Sequence, residues 1–278
     1  MKTNYPTNIN TGYAYTFFSF FGITGLWVIY LQIQGLSLVE IGLCESIFHV
    51  ASFLFEVPTG VLADRFSYKS VLIGGRIASI LSAIIMLTSH TFLMFAFSFV
   101  LSALSYNLQS GTIDALMYDS LIETRQTKAY PKIISTVNVL YEFGDTAGVV
   151  IAGFFVHWHF ELTYVISILI GFFALISTLM MKEPNVTPSK VSAQVPETIG
   201  SILRTSYLVL KTNRVLRNLM FFQAVFAGIC TSYYFYFQSL MEKAHFSGWM
   251  ISLLMVTSAV VNLSLIHISE PTRLQLIS

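Results

Sequence analysis

The sequence predicts an all-α membrane protein, and three observations carry that prediction. The 278-residue chain is 55% hydrophobic and only 10% charged, with a mean hydropathy of +0.70, whereas a soluble domain carries about 25% charged residues. Its apolar residues gather in runs near the length of roughly 20 residues that a helix needs to cross a bilayer core. The short loops between those runs alternate between basic and uncharged.

Eight runs read as spans: Tyr13 to Ile33, Leu38 to Ala63, Ser70 to Ser89, Phe92 to Met117, Ile133 to Val156, Leu162 to Met181, Leu219 to Leu240, and Phe246 onward. Arg65 and Lys69 follow the second, Arg125, Lys128 and Lys132 the fourth, and Lys182, Lys190, Arg204, Lys211, Arg214 and Arg217 the sixth. The opposite loops, such as Gln34 to Ser37 and His90-Thr91, carry no base, and Lys243 alone breaks the pattern. Bases gather on the cytoplasmic side of membrane proteins, which puts the N-terminus in the cytoplasm of a multi-pass cell-membrane protein. The 24 Phe and 14 Tyr suit a lipid-solvated chain with aromatic belts at the interfaces. No cleavable signal peptide is evident, because the first run is too long and has no small-residue cleavage site behind it. Cys44 and Cys230 lie in apolar runs and read as free thiols. The net charge of +1 gives no reason to expect nucleic acid.

Residues 184–217 are polar and contain Pro184, Pro188 and Pro196; within them Ile199, Ile202, Leu203 and Leu210 recur near helical spacing beside Arg204 and Lys211. This reads as a cytosolic linker with a helix lying on the inner leaflet. The expected organisation is a six-span half over residues 1–183, the linker over 184–217, two spans of a second half over 218–262, and a tail over 263–278. That tail, Leu263 to Ser278, interrupts the eighth span with polar residues and Pro271. It resembles the translation of a sequencing-library transposon adapter, so the expectation is a chain cut short after Asn262 and a non-native tail.

Between the second and third runs stands Gly60-Val61-Leu62-Ala63-Asp64-Arg65-Phe66-Ser67-Tyr68-Lys69. It resembles motif A of the major facilitator superfamily, G-x-x-x-D-R/K-x-G-x-R/K-R/K: Gly60, Asp64, Arg65 and Lys69 match, while Ser67 stands for the motif glycine and Ser70 for the last base. The resemblance implies a major facilitator fold with a complete first half and about two helices of the second. It also implies a secondary transporter whose halves rock about a midplane site. In that family the hairpin latches the cytoplasmic side, with Asp119 expected to join it. A plain basic turn obeying the loop-charge rule is the alternative. Gly60 would allow close helix packing, Asp64 would face a helix N-terminus, and Arg65 and Lys69 would pair with acids or lipid phosphates. Gly111 would be the glycine of motif B, which puts Asn107 where that motif has an arginine. Gly144, Gly148 and Gly153 resemble the antiporter glycine motif without its Gly-Pro pair, and helix packing is the plainer account.

Charge inside hydrocarbon costs at least a few kcal/mol, so intramembrane ionisable groups are functional candidates. Glu45, His49 and Glu56 share one face of the second span; Asn138, Glu142 and Asp145 share one face of the fifth; Asp114 and Asp119 lie at the cytosolic end of the fourth. Glu142 and Asp145 lead as groups that bind a proton, cation or substrate. For Glu56, just before Pro58, a structural network is the plainer account. Trp27, Tyr30, Tyr106 and Tyr141 are candidates to line a cavity, with packing or lipid contact as the plainer alternative. His157 and His159 make an H-x-H beside Trp158, too few ligands for a metal site.

No H-E-x-x-H and no serine-histidine context appears, so the sequence reads as a non-enzyme without cofactor or metal. The expected partners are the bilayer, a small molecule and protons, for a monomer. The expectation is a proton-coupled, efflux-like transporter; a proton/substrate symporter for uptake and a transporter-derived sensor are the alternatives.

Overall fold

The computed structural model describes residues 6–185 and 199–257, and every regular element in them is helical. Five stretches are long and apolar enough to cross a membrane: Leu38–Ala63, Tyr68–Thr88, Phe92–Glu123, Glu161–Met180 and Arg214–Lys243. The tail 263–278 lies outside the described residues.

The first expected span is not one helix. α1 (Thr7–Ser19) and α2 (Trp27–Ile33) are separated by residues 20–26, which include Gly22 and Gly25. α3 (Leu38–Arg65) starts at a capping box, Ser37 with Glu40, and runs on through Pro58. α4 (Tyr68–Thr88) returns from the signature hairpin. The fourth span is also divided, into α5 (Phe92–Gln109) and α6 (Thr112–Glu123), at Gly111, whose φ of 75° favours glycine. α7 (Tyr130–Phe155) and α8 (Glu161–Met180) follow.

α9 (Ile199–Thr212) is the helix expected in the linker. α10 (Arg214–Lys243) and α11 (Gly248–Thr257) follow. α4 packs extensively on α5 and α8, and α3 on α5. Two apolar clusters result. One holds Leu26, Ile29, Tyr30, Phe95 and Tyr164, with Met241, Ile251 and Met255 from α10 and α11. The other holds Ile9, Tyr15, Leu72, Leu116 and Met117.

α10 joins this body at one end only. Residues 214–230 are exposed throughout, whereas Gln238, Ser239 and Met241 are buried. At that buried end Tyr236 donates to the Leu38 carbonyl at 3.3 Å, Gln238 donates to the Gly25 carbonyl at 3.2 Å, and Ser252 donates to the Val149 carbonyl at 2.9 Å. Gly153 and Gly248 let α7 and α11 cross so closely that a Cβ on either would strike the other's backbone.

Candidate functional site

The signature hairpin is tied into its own half. Ser67, at the eroded glycine position, caps α4 by accepting from the Ser70 amide at 3.2 Å. The Glu183 carboxylate accepts from the Tyr68 and Lys69 amides at 2.8 and 3.2 Å. An anion at a helix N-terminus was expected here, and Glu183 supplies it; the Asp64 side chain lies outside the described residues. Lys69 Nζ donates to the Leu179 and Met181 carbonyls at 2.6 and 3.2 Å. It therefore caps the C-terminal end of α8 rather than pairing with an acid. Asp119 accepts from the Tyr68 hydroxyl at 2.8 Å, which attaches α6 to the hairpin. Arg65 is exposed. Gly60 has nothing within 4 Å of where a Cβ would stand, so the expected close packing is absent there.

On α3, His49 Nε2 lies 3.3 Å from Glu45 Oε1, the pairing that a four-residue spacing permits. Glu56 is exposed, and its carboxylate forms no ion pair among the described residues, so the structural network expected for it is absent. Asn107 Oδ1 accepts from the Ser52 hydroxyl at 2.8 Å, and its Nδ2 donates to the Ser52 carbonyl at 2.5 Å. Both ends of this amide are committed to a clamp between α3 and α5. Asp114 sits in the first turn of α6, behind the break at Gly111, where a helix N-terminus favours a carboxylate.

Asp145 faces the other break, and Glu142 lies one turn earlier on α7. The Gly22 amide donates to the Gly144 carbonyl at 3.2 Å. A Cβ on Gly22 would strike the Asp145 backbone carbonyl and carboxylate, and one on Gly148 would strike the Gly22 amide. These α7 glycines therefore serve packing, as the plainer account had it. The Tyr141 ring lies 4.6 Å from that of Phe20, centre to centre. Asn138 is exposed. His157 Nδ1, in the turn after α7, lies 3.8 Å from Glu242 Oε1 on α10.

Three groups escaped the sequence reading. Arg76 of α4 is 3% exposed. Its guanidinium stands 5.3 Å from the Tyr15 ring centre, and its Nη2 lies 3.5 Å from the Ser105 hydroxyl. Tyr15 donates to Gln109 Oε1 at 3.1 Å. A buried base thus stands on α4 beside the end of α5, where a helix C-terminus favours a cation. Asn8 donates to the Ser120 hydroxyl and the Lys182 carbonyl at 2.8 and 2.7 Å, and accepts from the Lys182 amide at 2.8 Å, gathering α1, α6 and the end of α8. The third is a cavity of about 330 Å³ lined by Glu45, Trp27 and a serine cluster. Trp27 was named as a candidate lining residue; the serines give no signal beyond polarity.

The family model of the Major Facilitator Superfamily matches residues 10–271. This chain belongs to the major facilitator superfamily. The matched range covers both broken spans, the hairpin and the linker, and extends past Asn262. The superfamily's members are membrane transporters, not enzymes. The chain is 25% identical over 209 residues to the uncharacterized MFS-type transporter YxaM of Bacillus subtilis (strain 168), covering 72% of this chain and 52% of that protein. It therefore spans about half the length of this curated relative. Among solved structures, the fold is similar to that of nucleoside transporter NupG, with a TM-score of 0.72 at 13% identity over 97% of this chain and 67% of that one. An auto-inhibited POT family peptide transporter aligns with a TM-score of 0.58 at 15% identity, over 92% of this chain and 52% of its own.

Proposed function

We propose that this major facilitator chain serves secondary active transport of a small molecule by alternating access, coupled to protons and directed outward. One observation carries the reading: α10 and α11 meet the first half only at the end holding Gln238 and Ser252, while residues 214–230 of α10 stand exposed. Under the loop-charge orientation, with the N-terminus in the cytoplasm of the cell membrane, that contact between the halves lies on the outer side. Rocking about a midplane site needs this asymmetry.

The acids fit the reading. Asp145 lies where the first span is interrupted, its carboxylate beside Gly22, and Glu142 stands one turn earlier on α7. Interrupted spans in corresponding positions of inverted repeats point to transport sites, and the first and fourth spans are such a pair. Asp119 and the hairpin Gly60 to Lys69 take the cytoplasmic latch role in this proposal. The proposed unit is a monomer.

The nucleosides and peptides of the two structural relatives are not carried over at such low identity. The adapter origin of residues 263–278, and a longer native protein, are part of the proposal; sequencing the native locus beyond the codon for Asn262 tests both. The activity is tested with the native-length protein in liposomes loaded with a pH-sensitive dye. Substrate-driven proton movement out of register with substrate supports antiport, and co-directional movement supports the uptake symporter instead. Ligand binding with no flux of either species would favour the sensor.

A further inference from the structure

The cavity of about 330 Å³ lies among α2, α3, α4, α5 and α8, with Phe235 of α10 completing its wall. It is distinct from the acid cluster on α7. Its size is at the small end for ligand pockets. Glu45 is the only charged residue in its lining.

Two surfaces define what it can hold. Trp27, Phe48, Phe99, Tyr164 and Phe235 supply aromatic rings; the Trp27 ring lies 5.2 Å from that of Phe99 and 5.0 Å from that of Phe235. Aromatic faces carry negative charge density and attract cations. Facing them are Ser82, Ser98 and Ser102 of α4 and α5, whose protons are already committed, together with the hydroxyls of Ser79, Ser167 and Thr24. Ser98 donates to the Phe95 carbonyl at 2.7 Å, and Ser82 donates to the Ser98 carbonyl at 2.9 Å. The Ser82 and Ser102 hydroxyls lie 2.7 Å apart; with the Ser82 proton on Ser98, the Ser102 proton goes to Ser82. A serine that has donated its one proton has only lone pairs left to offer. The carboxylate, the ring faces and the oxygens of Ser82, Ser98 and Ser102 are thus electron-rich, and the base that meets this carboxylate, His49 at 3.3 Å, stands outside the lining.

We propose that this cavity binds a small organic cation of the ammonium class, its charge held by Glu45 and the faces of Trp27, Phe99 and Phe235, its N–H or O–H groups on the serine oxygens. Glu45 also borders the wider opening between α3 and α10, where His49 stands, so a cation on Glu45 has a route to the space between the two halves. The cation's role as cargo rests on the transport reading; its binding rests on the cavity alone.

The test is titration of the purified chain in detergent micelles with choline chloride, followed by Trp fluorescence and calorimetry. The neutral isostere 3,3-dimethylbutan-1-ol and sodium chloride are the controls. Saturable choline binding, at least about tenfold weaker for the isostere, is expected. Glu45→Gln should weaken choline at least about tenfold, as one lost strong contact does. Phe235→Leu should weaken it and Phe235→Tyr restore it, which separates loss of a ring from loss of fold. Equal binding of the isostere, an unchanged Glu45→Gln variant, or no saturable choline binding by monodisperse helical protein overturns the proposal. Liposomes separate the two readings: choline bound but never moved sinks the transport reading and leaves the site, whereas proton-coupled flux of another solute without choline binding does the reverse.

Discussion

Gly22 donates its amide to the carbonyl of Gly144 at 3.2 Å, so the interruption of the first span is fastened to the backbone of the fifth. Backbones approach this closely in membranes only where side chains are small. Gly148→Val would drive its side chain into the Gly22 amide and should cost about 1–3 kcal/mol, the usual penalty of overpacking. Gly60→Ala, inside α3 and unhindered among the described residues, should stabilise by about 0.5–1 kcal/mol, the helix-interior preference for Ala. Thermal melting in micelles reads both, and a Gly148→Val variant as stable as the parent would remove the fastening.

Neutralising the acids beside that interruption tests coupling. Asp145→Asn and Glu142→Gln keep shape and lose charge. In the native-length protein, the double variant is expected to lower substrate-driven proton flux at least about tenfold, the scale of one lost essential contact. Its helical content should be unchanged. Unaltered flux would take these residues out of the coupling role.

The Lys69 ammonium on the end of α8 makes a quantitative prediction. Removing hydrogen bonds to a charged group costs about 1.5–3 kcal/mol when they are buried, and less here because the α4–α8 junction is partly exposed. Lys69→Ala should therefore destabilise by about 1 kcal/mol. Lys69→Met should lose nearly as much, showing that charge rather than stem packing matters. Denaturant titration checks this, and equality of Lys69→Met with the parent would count against the cap.

The two thiols should separate by reactivity. Cys44 is buried and Cys230 exposed. In micelles, N-ethylmaleimide should label Cys230 first, with Cys44 reacting only after denaturation. Mass spectrometry of peptides reads the order, and equal labelling would mean that α10 is covered or that α3 is loosely packed.

Helix identity was legible because hydropathy tracks burial in lipid. The runs at Leu38 and Phe92 begin as helices where expected, the amphipathic linker stretch became α9, and the run expected over Leu219 to Leu240 lies inside a longer helix that begins earlier, at Arg214. The breaks were not legible. Residues 20–26 are as apolar as their neighbours, so a scale that counts transfer energy cannot see the chain leave its helix. Gly111 was noticed for its motif position, yet its positive φ depends on how α5 and α6 pack. Arg76 was legible as a lone base inside the apolar run Ser70 to Ser89, but its partners Tyr15 and Ser105 come from other helices. The roles of Asn107 and Lys69 depend on partners 55 and 110 residues away along the chain, and no local pattern names such a partner.

The one-ended attachment of α10 has a mechanical consequence. Thirty residues of helix make a rod about 45 Å long at 1.5 Å per residue. Held near Gln238 and free toward Arg214, it is a lever: a turn of about 10° at the held end sweeps the far end by roughly 6–8 Å over that length. Small adjustments at the Gly25 carbonyl that Gln238 grips would therefore be magnified at the opposite face of the membrane, where the linker helix α9 is attached.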